Sequence, residues 1–307
     1  MLRYALKRII GAVPTLLLVI AIAFLMVHAA PGGPFDAARA LPPDIEENIQ
    51  RAYHLDESLP QQFARYLGGL VRGDFGPSFR FRDYTVAELI GLALPLSMWL
   101  GAMAMLIAIA VGVCAGLFAA LNRNTFVDRL VTGFAMIGIS VPVFVIAPTM
   151  VLVFAVLLDW LPVSWTDGDG ANRLVMPVIA LALPQIAYIA RLTRASMINV
   201  MNSDFIRTAT AQGLSTMSIV RFHAIKPATL PLLSYMGPAI AAVLTGSVVV
   251  EQVFGIPGVG QLFITGATNR DYTLVLGITV FYAALVIVLN LIVDLLYGFL
   301  DPRIRHR

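Results

Sequence analysis

Residues 93–121 read ALPLSMWLGAMAMLIAIAVGVCAGLFAAL, a stretch that holds no charged side chain. About 20 consecutive apolar residues cross the hydrocarbon core of a bilayer as a helix, so this stretch is long enough to span a membrane. Inside hydrocarbon every backbone N–H and C=O must be bonded within the protein, which favours helices over open strands. Five further apolar runs accompany it, at residues 9–29, 129–158, 173–193, 229–253 and 273–299. The sequence therefore predicts an all-α integral membrane protein with six transmembrane helices.

The overall composition agrees with this prediction. Of the 307 residues, 59% are hydrophobic and 13% are charged, whereas a soluble domain carries about 25% charged residues. The net charge of +3 does not indicate a nucleic-acid partner, because the basic residues lie on segments that flank the apolar runs. The single cysteine, Cys114, can form neither an intrachain disulfide nor a four-ligand metal site. We expect the chain to bind no metal and no cofactor of its own.

The first apolar run, residues 9–29, has two interpretations. The basic residues before it and the small residues Ala29 and Ala30 at its end are also typical of a cleaved secretory signal. Signal peptides have an apolar region of about 7–15 residues, and this run is longer. We therefore expect an uncleaved first transmembrane helix.

The distribution of Lys and Arg predicts the orientation, because cytoplasmic loops of membrane proteins carry an excess of these residues. With the N-terminus inside, thirteen of them fall on inner segments: Arg3, Lys7, Arg8, Arg123, Arg129, Arg191, Arg194, Arg207, Arg221, Lys226, Arg303, Arg305 and Arg307. The two short outer loops hold Arg173 and Arg270. Long translocated segments such as residues 30–92 escape the rule. Both termini are therefore predicted to be cytoplasmic, in a cell inner membrane.

These features divide the chain into four parts: the N-terminus with the first transmembrane helix at 1–29, a periplasmic insertion at 30–92, a core with the remaining helices at 93–300, and a cytoplasmic tail at 301–307. The insertion has helical signals of its own. Pro42-Pro43-Asp44 and Pro60 each precede apolar residues at helical spacing. Residues 73–77, GDFGP, are typical of a turn.

The usual signatures of enzymes are missing from the sequence. It contains no Gly-x-x-x-x-Gly-Lys-Ser/Thr loop for ATP phosphates, no His-Glu-x-x-His zinc motif and no Gly-x-Ser-x-Gly elbow. We therefore expect no catalytic residue and favour a passage for solute over a membrane-bound hydrolase. Glu251 and Asp294 are ionisable groups within apolar runs, and such groups are candidates for solute or ion pathways. Both also lie near the ends of their runs, where a carboxylate can be hydrated, which weighs against the alternative of a stand-alone secondary carrier or channel for small solutes.

The polar segment at residues 195–228 is the most informative part of the chain. Within it, residues 202–215 read NSDFIRTATAQGLS. Ser203 or Asp204 can cap the N-terminus of a helix. Gly213 suits the left-handed position just after a helix end. The pattern predicts a short helix followed by a glycine turn.

A second short helix is predicted to begin near Ser215 and to end before Pro227. A helix of about ten residues is marginal in water on its own, so the first helix needs apolar packing. The apolar side chains available for it are Phe205, Ile206, Ala209 and Leu214. They can pack on the ends of the chain's own helices or on a separate cytoplasmic protein, and the sequence leaves both open.

Residues 204–232 resemble the cytoplasmic EAA loop of ABC importer permeases, in its peptide-transporter form. Other blocks extend the resemblance in order along nearly the whole chain: APGGP at 30–34, YHLD at 53–56, GDFG at 73–76, EQVFGIPGVGQ at 251–261 and NRDY at 269–272. Together they are similar to the B-type permease of oligopeptide and dipeptide importers. The general loop motif begins Glu-Ala-Ala, and in register with Gly213 this chain has Arg207-Thr208-Ala209. The glutamate is missing, so a salt bridge that depends on it is not expected here.

The resemblance implies the ABC type I importer permease architecture, in a subunit that moves oligopeptides or dipeptides into the cytoplasm. It implies a second, related permease, two cytoplasmic ATPases that use ATP and Mg²⁺, and a periplasmic peptide-binding protein. The residues expected to couple this chain to an ATPase are Asp204, Phe205, Ile206, Arg207, Thr208, Ala209, Gln212, Gly213 and Leu214. When ATP closes the ATPase pair, this helix is expected to move and to alternate access between the two sides.

Two further sites are predicted. Asp74 and Phe75, in the turn of the insertion, are expected to contact the binding protein. The alternative is that residues 30–92 form a rigid lid that only braces the first two transmembrane helices. Glu251 and Gln252, at the outer end of the fifth run, are expected to line the substrate pathway.

Overall fold

The computed structural model of the chain describes residues 2–30, 54, 56–81, 83–165, 170 and 172–300. The helices of these ranges are α1 (Leu2–Ala29), α2 (Leu59–Val71), α3 (Val86–Leu121), α4 (Phe126–Ser140), α5 (Val143–Met150), α6 (Asn172–Met201), α7 (Asp204–Ala211), α8 (Thr216–Ile219), α9 (Ile225–Phe254), α10 (Val259–Thr268) and α11 (Tyr272–Leu300). Wider π-helical turns at Val151–Leu157 extend α5, and others at Val220–Ala224 join α8 to α9. The helix predicted after Pro42-Pro43-Asp44 lies outside the described residues.

The lengths and apolarity of the helices confirm the prediction of a membrane protein. Five helical stretches of the described chain can each cross a bilayer: Ile10–Ala29, Val86–Leu121, Asn172–Met201, Thr216–Phe254 and Tyr272–Val293. The bent pair of Phe126–Ser140 and Val143–Leu157 makes a sixth if it is counted as one span. The six apolar runs of the sequence thus correspond to five long helices and one broken one.

The broken helix corrects the expectation of a single helix over residues 129–158. Its two halves are bent by 101° between Ser140 and Val143. Val141 precedes Pro142 and adopts extended angles, φ −90° and ψ 118°. The proline ring disfavours the helical conformation in the residue before it, so the helix ends there. Pro177 and Pro184, by contrast, lie inside the continuous helix α6.

The second short helix of the polar segment does not end before Pro227, and that prediction is wrong. Helical structure continues without a break from Thr216 to Phe254. The π-helical turns at Val220–Ala224 change the register of the backbone hydrogen bonds just before Pro227. Such a change leaves room for a residue that has no N–H to donate.

The described chain forms two compact units. Unit A consists of Ser97–Ile256 with the chain from Val288 onward, and unit B of Leu2–Leu96 with Pro257–Ile287. In unit A, α3 packs closely on α6 through glycine. A Cβ atom on Gly116 would lie 2.5 Å from the carbonyl oxygen of Ala190. A larger residue at position 116 would therefore push the two helices apart.

Unit B contains the insertion helix α2 and confirms the prediction of a helix at Pro60. Ser58 precedes α2 in an extended conformation, and its N–H donates to Oε1 of Gln61 at 3.1 Å. This is half of a capping box, a frequent start signal of helices. The apolar face of α2 packs on α1 and α11 in a cluster around Phe24 and Leu276.

Candidate functional site

The predicted coupling helix is present as α7, Asp204–Ala211. Ser203 occupies its N-cap position with φ −78° and ψ 157°, and its hydroxyl donates to the carbonyl of Val200 at 2.6 Å. Asp204 lies in the first turn, where a negative charge interacts favourably with the helix dipole. The sequence thus predicted the start of this helix correctly.

Gly213 closes α7 as predicted, with φ +81° in the left-handed region. Its N–H donates to the carbonyl of Thr210 at 3.0 Å, and the N–H of Leu214 donates to the carbonyl of Ala209 at 3.3 Å. These two bonds are those of a Schellman motif. Next, the hydroxyl of Ser215 accepts from an N–H of the first turn of α8. The turn between α7 and α8 is therefore fixed at both ends.

Two residues predicted for docking, Ile206 and Ala209, face the interior of unit A instead. Both are nearly fully buried. They belong to an apolar cluster that joins α8 and the π-helical turns to the ends of α3, α6 and α9. Its other buried members are Met197, Ile219, Val220, Ala224 and Ala228, and Leu117, Ala120, Val200 and Met201 pack against it. Of the two packing partners that the sequence left open, these two side chains therefore use the chain's own helix ends, and a coupling role for them stays a prediction. This pair holds α7 on the chain's own helix ends.

The opposite side of this segment presents large apolar side chains to the exterior. Phe205 and Leu214, both predicted, are exposed, and so are two residues that the sequence analysis missed, Met217 (71% exposed) and Phe222 (70%). We call these four residues the coupling surface. A helix of 39 residues is about 58 Å long, roughly twice the thickness of the hydrocarbon core, so part of Thr216–Phe254 must project from it. Large exposed apolar side chains on such a projecting segment are candidates for an interaction site.

Charged and polar residues surround the coupling surface. Nη1 of Arg207 lies 3.5 Å from Oδ1 of Asp204. Such an exposed ion pair contributes little to stability. The guanidinium of Arg221 lies 5.3 Å from the centre of the Phe222 ring. The predicted residues Thr208 and Gln212 are also exposed. Except for Ile206 and Ala209, the residues predicted for coupling thus lie at the exterior of α7 and its turn.

An ion pair with a buried carboxylate fixes the neighbouring loop to α6, and no local sequence pattern indicates it. Nε and Nη2 of Arg194 donate to the two carboxylate oxygens of Asp128 at 2.5 and 2.7 Å. The N–H of Asn124, which has φ +65°, donates to the same carboxylate at 2.9 Å. Asp128 is almost fully buried. Bidentate pairs of this kind fix orientation as well as distance.

In unit B, a buried carboxylate fixes the turn of the insertion. Asp271 is fully buried and caps α11, accepting from the N–H of Leu274 at 3.1 Å. It also accepts from the hydroxyl of Ser78 at 2.5 Å. Phe75 packs on the apolar clusters of the same unit, whereas Asp74 is exposed. These contacts favour bracing for Phe75, and the predicted contact of Asp74 and Phe75 with a binding protein stays a prediction.

The two predicted pathway residues differ in their surroundings. Glu251 is 0% exposed, and the hydroxyl of Ser97 donates to its Oε1 at 2.8 Å, which joins α3 to the end of α9. The expectation that this carboxylate is hydrated is therefore wrong. Gln252 is exposed. A pathway role for either residue stays a prediction, and the side chain of Asp294 lies outside the described residues.

Known proteins resemble this chain over its full length. A model of the family "Binding-protein-dependent transport system inner membrane component" matches residues 112–306, and a model of that family's N-terminal region matches residues 1–81. The oligopeptide transport system permease protein OppB of Salmonella typhimurium is 51% identical over 306 residues, with 100% of both chains covered. The dipeptide transport system permease protein DppB of Bacillus subtilis is 39% identical, with 99% of this chain and 98% of that protein covered.

A solved structure shares the fold at low sequence identity. It is an inward-facing form of the MetNI methionine ABC transporter, with a TM-score of 0.56 and 16% identity. The match covers 69% of this chain and 96% of the other. With helices that span the membrane and a family match over more than half its length, the chain belongs to the inner-membrane components of binding-protein-dependent transport systems.

Proposed function

We propose that this chain is one of two related permease subunits of an ATP-driven importer, and that it passes oligopeptides or dipeptides from the periplasm to the cytoplasm by alternating access. The coupling surface is the observation that carries the proposal. Its four apolar side chains are exposed on a segment that a buried apolar cluster packs against the chain's own helices. Peptide as substrate is supported by the names of the relatives from Salmonella typhimurium and Bacillus subtilis.

The coupling surface fits a groove of a cytoplasmic ATPase. Because the sequence has no P-loop, we infer that ATP and Mg²⁺ are bound by two ATPase subunits rather than by this chain. A second permease would complete the path, and a periplasmic peptide-binding protein would deliver the peptide. The excess of Lys and Arg on alternate segments supports cytoplasmic termini.

A charge placed in the coupling surface tests the proposal. Phe222→Glu should abolish co-purification of the ATPase subunits and peptide uptake while the permease still inserts, because a carboxylate would be buried without a partner on docking. The matched control is Val71→Glu, at the exposed end of α2 in the segment proposed to lie outside. It should leave ATPase co-purification unchanged. Full ATPase binding by the Phe222 variant would exclude this surface as the docking site.

Single-cysteine labelling tests the orientation. In a Cys114→Ser background without the ATPase subunits, so that the coupling surface is not covered, Met217→Cys and Val71→Cys each place one exposed thiol on opposite proposed sides of the membrane. A membrane-impermeant maleimide should label the cysteine at position 71 in spheroplasts, and that at position 217 only after permeabilisation. The reverse pattern would overturn the proposed orientation.

A further inference from the structure

Three side chains of α6 and one of α9 form a polar and aromatic cluster within mainly apolar helices. Gln185, Tyr188 and Arg191 follow one another at three-residue spacing, which places them on neighbouring positions of one helix face. The ring of Tyr235 stacks on that of Tyr188, with 4.1 Å between centroids and 18° between planes. We call these four residues the α6–α9 strip.

Specific polar contacts join the members of the strip. The hydroxyl of Tyr235 donates to Oε1 of Gln185 at 2.8 Å. The guanidinium of Arg191 lies 5.4 Å from the centre of the Tyr188 ring, within the range of a cation–π interaction. Along α6 the strip therefore presents an amide, a stacked pair of phenol rings and a cation, in that order.

Exposure increases in the same order. Gln185 is buried, with 8% of its surface exposed. Tyr188 and Tyr235 are half-buried, and Arg191 is exposed. The strip thus leads from the interior of unit A to its surface, along the most enclosed of the five spans.

The packing of α6 on α9 does not require these residue types. Leucine or isoleucine would fill the same space without a polar group that needs a partner. Polar side chains inside membrane-spanning helices are costly and commonly mark the path of a solute. A row of them that opens from the interior to the surface is what a path for a polar solute requires.

We propose that the α6–α9 strip is a peptide-contact site of the translocation path, an inference that rests on the proposed function. Peptides of different sequence share backbone amides and a C-terminal carboxylate. The stacked rings of Tyr188 and Tyr235 contact side chains of any kind, because every apolar group packs on an aromatic face. Because Oε1 of Gln185 already accepts from Tyr235, Gln185 offers its amide N–H groups to the peptide backbone, and Arg191 offers a cation to the carboxylate.

Photocrosslinking in the complete importer tests the contact directly. The importer is reconstituted in proteoliposomes with its ATPases and binding protein, and the probe is a tripeptide of alanine, p-benzoylphenylalanine and alanine. Irradiation during ATP turnover should give adducts within residues 185–191 or at Tyr235, and excess trialanine should suppress them. Adducts confined to other parts of this chain, or to the second permease, would overturn the proposal.

A substitution tests the role of the cation separately. Arg191→Gln should lower the ratio of trialanine uptake to uptake of its C-terminal amide by about tenfold, as expected for one lost charge-assisted hydrogen bond. The control is Phe134→Leu, at an exposed position of α4, which should leave the ratio unchanged. An unchanged ratio in a fully assembled Arg191 variant would remove that residue from the site.

Different results would contradict the proposed function and the peptide-contact site. If the wild-type complex takes up neither trialanine nor its C-terminal amide when ATP is supplied, the proposed function is wrong. If the wild type transports trialanine while adducts avoid the strip and the ratio does not respond, only the peptide-contact site is wrong.

Discussion

Replacing Gly213 tests the coupling proposal through one backbone angle. Gly213 has φ +81°, and a Cβ atom added there would meet no other atom within 4 Å. A substitution therefore changes the conformational cost of the turn and leaves its packing as it is. An L-residue in the left-handed region costs about 1–2 kcal/mol, and asparagine tolerates it better than most.

This cost is comparable to the local stabilisation of the turn. The two bonds donated by the N–H groups of Gly213 and Leu214 contribute about 0.5–1.5 kcal/mol each. If an ATPase binds the closed turn, a penalty of about 1.4 kcal/mol lowers its affinity about tenfold. We expect Gly213→Val to weaken ATPase binding by about tenfold or more, Gly213→Ala to weaken it less, and Gly213→Asn to leave it nearly unchanged.

Titration of the purified permease pair with the ATPase subunits measures the affinities, and peptide uptake in cells without their own importer measures the consequence. The ranking of the three variants by ATPase affinity distinguishes the effect of the backbone angle from that of side-chain bulk. If the asparagine variant is as impaired as the valine variant, side-chain bulk rather than the backbone angle matters. If Gly213→Val binds and transports normally, the turn has no role in coupling.

Three further predictions follow from the contacts described above. Asp128→Asn should lower the free energy of unfolding by about 2 kcal/mol, because it leaves the partly exposed Arg194 without its carboxylate. Thermal unfolding in detergent measures the loss. The charge-swapped double variant Asp128→Arg/Arg194→Asp should regain part of the lost stability. Asp271→Asn should speed backbone hydrogen exchange in residues 77–81, because an asparagine amide has one accepting oxygen where the carboxylate has two. Unchanged exchange would contradict the bracing role. Asp74→Arg should reduce the stimulation of ATP hydrolysis by the binding protein and spare basal hydrolysis; full stimulation would favour bracing alone.

Local signals in the sequence predicted the parts of the fold that depend on neighbouring residues. The turn at Gly213 was predictable because a residue with no Cβ is the usual solution at a left-handed position. The helix after Ser58 was predictable from the proline in its first turn and the apolar spacing. The six apolar runs predicted the five membrane-long helices and the bent pair, because apolar length is also a local signal.

The features that the sequence did not predict depend on parts of the chain that are distant in sequence. Asp128 and Arg194 are 66 residues apart, and neither has a local pattern that names its partner. Ile206 and Phe205 are adjacent apolar residues on one short helix, and only the ends of α3, α6 and α9 decide which of them is buried. Pro142 breaks its helix, whereas Pro177 and Pro184 lie inside a continuous one, so the presence of a proline does not by itself decide the outcome.

The unbroken helix from Thr216 to Phe254 has a mechanical consequence. Phe222 of the coupling surface and Tyr235 of the strip are thirteen residues apart on it, about 20 Å along its axis. A continuous helix transmits rotation as well as translation along its axis. A rotation applied at Phe222 would therefore also turn the phenol ring of Tyr235. Its compliance would be concentrated in the π-helical turns at Val220–Ala224, where the hydrogen-bond register shifts. If an ATPase docks at the coupling surface as proposed, the stiffness of those five residues would set how much of its movement reaches Tyr235.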